Sequence, residues 1–181
     1  GGGLQALSVA RSLRKKGHNI IALLYKGDVS TKSKQINKFY ITDITPKNEK
    51  EYLSSIHSIL KQNSVSVIIP LSDITAELLS LHKEMLEQEY HLKCAIPDYD
   101  VFQKANDKWL LLSLCAQNNL PHPKTELLTS NNLQDAADRV GFPALIKPNI
   151  SVGARGITMV YSLSDLQKKY GEILEKYGEC T

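Results

Sequence analysis

The chain has 181 residues, 42% of them hydrophobic, and a formal charge of only +3. That is enough apolar material for a packed core, which excludes disorder. The basic residues (Lys32, Lys34 and Lys38, or Lys168 and Lys169) are scattered without stacking aromatics, so they read as a solvated surface and exclude a nucleic-acid groove.

The elements alternate along the chain. Leu4 to Lys16 reads as an amphipathic helix stopped by Gly17, and Ile20 to Tyr25 as a buried strand. A shorter strand follows at Phe39 to Thr42, then a helix at Glu49 to Gln62. Val65 to Leu71 (VSVIIPL) is the strongest strand signal; a helix over Thr75 to Tyr90 and a strand over Leu92 to Ile96 come next. Strands alternating with helices predict a parallel sheet covered on both faces, an α/β fold. A glycine turn that opens a helix normally follows a strand, so an opening strand is expected just ahead of Gly1.

From about Asp98 the pattern changes, and a domain boundary is expected near residues 97–105. Asp107 to Asn119 reads as a helix, and Pro121-His122-Pro123 as an extended linker. A helix over Asn131 to Val140, capped by Asn131 or Asn132, precedes two strands, Pro143 to Pro148 (PALIKP) and Ile157 to Tyr161 (ITMVY). The loop Asn149 to Gly156 joins them, and a last helix runs from a Ser164 cap to Tyr177. The three cysteines, Cys94, Cys115 and Cys180, have no metal-ligand or CxxC spacing, which predicts reduced thiols and a cytoplasmic setting. No apolar run approaches the ~20 residues that span a membrane, and no signal peptide is visible.

Gly1-Gly2-Gly3-Leu4-Gln5-Ala6 fits G-x-G-x-x-A at a helix start, where backbone amides can hold a phosphate. A dinucleotide site also needs an acid at the end of the second strand; Tyr25 and Lys26 stand there and the first acid is Asp28. A tight structural turn is therefore favoured, with substrate contact by Gly2 and Gly3 the alternative. Lys147 is a lysine in an otherwise apolar strand, which must either reach the surface or meet an anion. Directly after it, Ser151-Val152-Gly153-Ala154-Arg155-Gly156 can bring backbone amides close to phosphates, with Arg155 adding charge. Lys108 opens a helix upstream, and Lys108, the Pro121 linker, FPALIKP and the glycine loop follow one another in order.

In that ordered set the chain resembles the ATP-grasp superfamily, and most of all its carbamoyl-phosphate-synthetase-like and carboxylate–amine ligase members. The resemblance implies a pre-ATP-grasp domain over residues 1–97, its first strand missing, and the first ATP-grasp subdomain over residues 98–181. It implies that Lys108 and Lys147 contact ATP phosphates and that Ser151, Gly153, Ala154, Arg155 and Gly156 close over them. The implied activity is ligation: a carboxylate becomes an acyl phosphate, which an amine or similar nucleophile attacks. ATP and Mg²⁺ are the implied cofactors, small carboxylates and amines the partners, and a homodimer a permitted state. In the family an adenine-binding hinge and a second subdomain carrying the metal ligands follow, so this stretch alone is expected to be inactive. A non-catalytic nucleotide-binding or regulatory module, and a Rossmann-type NAD(P) or nucleotide-sugar protein, are the alternatives.

The remaining candidates are plainer. Ser72-Asp73 follows the VSVIIPL strand at its carboxyl end, the edge where ligands bind in open parallel sheets, although a helix cap is the preferred reading. His18, His57, His82 and His91 read as surface or packing residues, and His122 as an exposed linker residue.

Overall fold

The computed structural model describes residues 2–181 and divides into two compact units, Gly1–Phe102 and Gln103–Thr181. Gly1, the first residue of the glycine turn, lies outside the described residues.

In the first unit, helix α1 (Gly3–Lys15) turns Ala6 and Ala10 onto strand β1 (Ile21–Tyr25), where they enclose the fully buried Leu24. Small residues at i and i+4 let the helix lie close to the strand. β1 pairs in parallel with β2 (Lys38–Thr42), from Ile21 opposite Lys38 to Tyr25 opposite Thr42. A second apolar cluster joins α2 (Glu49–Gln62), α3 (Asp73–Leu81) and α4 (Lys83–Tyr90) around Leu60, Leu79 and Leu86. Leu86 has no exposed surface, so its burial contributes about 1.5–3 kcal/mol.

Three expectations change here. VSVIIPL supplies only the two-residue strand β3 (Val67–Ile68), paired in parallel with the equally short β4 (Lys93–Cys94). Pro70 has no N–H to donate, β3 has a hydrogen-bonded partner on one flank only, and Val67 is half exposed. The strands therefore form two separate two-stranded parallel ladders rather than one covered sheet. The single helix expected over Thr75 to Tyr90 is two, divided at His82, whose side chain bonds Glu49 of α2 at 2.8 Å. A helix not foreseen, α5 (Tyr99–Asn106), runs across the division between the units.

In the second unit α6 (Lys108–Gln117) ends on Asn119 in the left-handed conformation, with the Leu120 amide closing back onto Cys115 O at 2.9 Å. Its apolar residues Leu110, Leu111 and Leu114 are about two-fifths exposed. β5 (Ala144–Ile146) and β6 (Thr158–Val160) form an antiparallel pair. Helices α7 (Leu133–Val140) and α8 (Leu163–Tyr177) cover one face of it through Ala136, Ala137, Leu166 and Ile173. The cap of α8 is Ser162 rather than Ser164: Ser162 accepts from the Asp165 amide, and the Asp165 carboxylate accepts from Tyr161 N–H. Cys94 and Cys180 are buried, and burial raises both thiols to about 11, which keeps them protonated and unreactive at neutral pH. No described helix is long and apolar enough to cross a membrane.

Candidate nucleotide site

Asp107 caps α6 by accepting from Leu110 N–H at 2.9 Å, which makes Lys108 the first helical residue. An amide at that position has no partner inside the helix. Lys108 N–H donates instead to Asn149 O at 2.9 Å, forty-one residues away. The Lys108 ammonium turns to the same place, donating to Asn149 O at 3.3 Å, Ser151 O at 3.3 Å and Ser151 Oγ at 3.1 Å. Its pKa lies below the ordinary lysine value; burial is the main cause, Asp107 opposes it, and the nearby Lys147 ammonium adds to it. The structure thus brings Lys108, Lys147 and the start of the loop into one place.

Lys147 leaves β5 between two partners. On one side β5 pairs with β6. On the other, Lys147 N–H donates to Thr181 O at 2.7 Å, Thr181 N–H donates back to Lys147 O at 2.9 Å, and Asn149 N–H donates to Glu179 O at 2.8 Å. Proline at 148 is tolerated because it faces Cys180 at a bridge between these bonds and owes none of them. Successive strand residues alternate faces. Ile146 and Val160 are 1% exposed and point to the core; Leu145 and its partner Met159 are both 44% exposed and point away from it. Lys147 follows Leu145 at a spacing of two, on the same face. Leu145, Lys147 and Met159 line an open cleft of about 420 Å³ together with Lys124, Thr125 and Thr181.

The loop between β5 and β6 turns at Gly153 and Ala154, both left-handed with φ of 61° and 60°, and Arg155 N–H closes the turn on Val152 O at 3.2 Å. Glycine adopts this conformation freely; for Ala154 it costs about 1–2 kcal/mol. Gly153 has open space around it. Gly156 does not: a side chain there would meet Pro148 and Tyr177. Gly156 is thus a packing residue that fixes the end of the loop. Arg155 is exposed.

The first-unit candidates are separate from this cluster. Gly3 N–H donates to both carboxylate oxygens of Asp28, at 3.1 and 2.9 Å, and Ser30 N–H donates to Asp28 Oδ1 at 2.7 Å. Burial raises the Asp28 pKa, but these hydrogen bonds outweigh it and the carboxyl lies below its ordinary value. A carboxylate of the chain itself therefore fills the place where this turn would take a phosphate, and a side chain on Gly2 would collide with it. Neither the NAD reading nor substrate contact by Gly2 and Gly3 is favoured by that arrangement. Ser72 and Thr75 bond each other at the start of α3, their hydroxyl oxygens 2.9 Å apart, and Asp73 is an exposed first-turn residue. His57 packs on Tyr90, its Nδ1 2.6 Å from the phenol oxygen, and His122 Nδ1 lies 2.8 Å from Leu120 O. Asn149, missed in the sequence, is 3% exposed, and its Oδ1 has no hydrogen-bond partner.

No family model matches the chain. It is 34% identical over 91 residues to D-aspartate ligase of Enterococcus faecium, covering 48% of this chain and 21% of that protein. It is 29% identical over 112 residues to the carbamoyl phosphate synthase large chain of Saccharolobus solfataricus, covering 55% of this chain and 10% of that one. The chain thus spans about a fifth or less of the length of these relatives. The biotin carboxylase domain of the 2-oxoglutarate carboxylase of Hydrogenobacter thermophilus, solved as a dimer with MgADP, ADP and bicarbonate, superposes with a TM-score of 0.76 at 18% identity, over 99% of this chain and 42% of that one. The N5-carboxyaminoimidazole synthetase of Staphylococcus aureus, solved with ADP, gives 0.73 at 17% identity over 99% and 44%. In sequence the chain is similar to carbamoyl phosphate synthase large chains and related ligases, and its α/β fold resembles those of the biotin carboxylase domain and the N5-carboxyaminoimidazole synthetase.

Proposed function

We propose that this chain is the phosphate-gripping part of an ATP-dependent ligase that activates a carboxylate as an acyl phosphate for attack by an amine or similar nucleophile. Residues 1–97 act as the pre-ATP-grasp domain and residues 98–181 as the first ATP-grasp subdomain. The observation that carries this reading is the convergence of Lys108, Lys147 and the glycine loop from positions some forty residues apart. Two ammonium groups held near each other raise the energy of the ligand-free site, and an anion between them lowers it.

Phosphoryl transfer needs positioning and charge neutralisation more than a protein nucleophile. Lys108 and Lys147 supply the charge; Gly153 and Ala154 supply backbone amides, Arg155 its side-chain charge, and the loop a cover that excludes water. Leu145 and Met159, side by side beyond Lys147, supply apolar surface for the adenine ring. No group of three His, Cys, Asp or Glu side chains suited to a metal lies among the described residues, so Mg²⁺ is not assigned to any of them. A cytoplasmic setting fits the three free cysteines. A homodimer is retained as part of the proposal, since the biotin carboxylase neighbour was solved as one.

The test is calorimetric titration of Lys147→Ala with ATP in the protein as it occurs. Loss of one charge-assisted contact predicts weakening by about 1.5–3 kcal/mol with folding intact. Unchanged affinity would reduce Lys147 to a surface lysine.

A further inference from the structure

The Lys108 ammonium has three hydrogens, and the structure gives it three acceptors, all at the first turn of the loop: Asn149 O, Ser151 O and Ser151 Oγ. These bonds are 3.1–3.3 Å long, at or just beyond the long end of the ordinary N–H···O range of about 2.7–3.2 Å. The lysine is therefore fully occupied but weakly held. Its main chain is fixed independently, through the 2.9 Å bond from Lys108 N–H to Asn149 O. The ammonium can leave Ser151 without the helix moving. Asn149 also keeps a buried, unpartnered Oδ1, a spare acceptor on the residue that anchors the lysine.

We infer that Ser151 is a positioning residue that parks Lys108 on its own loop, so that a phosphate takes the lysine only by displacing the Ser151 hydroxyl and freeing the loop to close. This rests on the phosphate-site reading above and gives Ser151 a different part in it: a competitor of the phosphate rather than its ligand. The loop is tethered through Ser151 and is released by the ligand it covers, which couples binding to closure.

The experiment compares wild type, Ser151→Ala and Ser151→Thr. Three readouts are followed: affinity for inorganic tripolyphosphate and for MgADP, the side-chain NMR signals of Lys108 and Lys147, and tryptic cleavage after Arg155 located by mass spectrometry. Ser151→Ala is expected to speed ligand-free cleavage and to bind tripolyphosphate about 3- to 10-fold more tightly, the equivalent of one long bond from the Lys108 ammonium no longer displaced. Ser151→Thr keeps the hydroxyl and should restore both. Weaker binding in Ser151→Ala with cleavage unchanged would make the hydroxyl a phosphate ligand, overturning the inference and leaving the phosphate site in place. No change in either readout would equally overturn it. If tripolyphosphate moves neither lysine signal in wild type, the phosphate-site reading falls, and the inference with it.

Discussion

Gly156→Ala is the sharpest structural test of the site. A Cβ at this position would lie 2.6 Å from Pro148 Cγ and 2.9 Å from two ring carbons of Tyr177, closer than real carbon atoms come. Neither neighbour yields readily: the Pro148 ring is fully buried between Lys147 and Asn149, and Tyr177 closes α8. Overpacking of this kind costs about 1–3 kcal/mol. The left-handed φ of 76° adds about 1–2 kcal/mol for any residue with a Cβ. Gly153→Ala provides the control, since its φ of 61° carries the same backbone term but nothing lies within reach of the new methyl. Urea unfolding of the two variants should differ by the overpacking term alone, Gly156→Ala being the less stable by about 1–3 kcal/mol. The backbone amide signals of Lys147 and Asn149 should shift in Gly156→Ala and stay in place in Gly153→Ala. Equal stabilities with unmoved signals would refute the argument that Gly156 locks the loop end against the lysine strand.

Other consequences can be checked with simple assays. Trypsin should cut after Arg155 earlier than at other internal sites, and MgATP should slow that cut; a rate indifferent to nucleotide would remove the loop from the site. Asp28→Asn should destabilise the first unit by about 0.3–1 kcal/mol at neutral pH, the usual worth of an anion at a helix start. The folded Asp28 pKa is below its ordinary 3.8, so its contribution is present above that value and is lost as pH falls through the folded one. Acid titration of stability should therefore show a loss in wild type that is absent in Asp28→Asn. The 181-residue polypeptide by itself should bind ATP no tighter than about millimolar and turn none over, because Lys147 faces an open cleft where phosphate contacts are screened. Turnover abolished by Lys147→Ala would show that the active site is more complete than this.

What the sequence disclosed depended on how local the determining interaction is. Helix α2 was readable to its ends because Glu49 to Gln62 carries its own amphipathic period. The β5–β6 hairpin and the loop between them were readable from apolar runs around glycine. The Ser162 cap was available in principle: Ser162-Leu-Ser-Asp165 has the S-x-x-D form, and Asp165 at the third position marks Ser162 rather than Ser164. The β3 run misled because strand length is set by partners, and Val67–Ile68 has a ladder on one flank only. Asp28 on Gly3, Gly156 against Tyr177 and Lys108 on Asn149 join residues more than twenty positions apart, which no local period records. Asp28 was visible only as an acid in the wrong place for a ribose; its actual role follows from the turn of α1 returning to the carboxyl end of β1.

The second unit combines features that work against stability at one point. Lys108 is held partly out of water, close to a second ammonium, on bonds at the long end of the ordinary range. Beside it Asn149 buries an acceptor without a donor, and three positions past the Ser151 hydroxyl, at Ala154, the backbone is left-handed in a residue that is not glycine. Each feature raises the energy of the folded chain, and a packed core made for stability alone has no use for any of them. The rigid parts around them are well satisfied: Lys147, Pro148 and Asn149 are held on the side away from β6 by bonds to Glu179 and Thr181, and Gly156 fits only without a side chain. Several such features gathered at the proposed phosphate site, beside backbone held by its own hydrogen bonds, fit the reading of a site prepared for an anion.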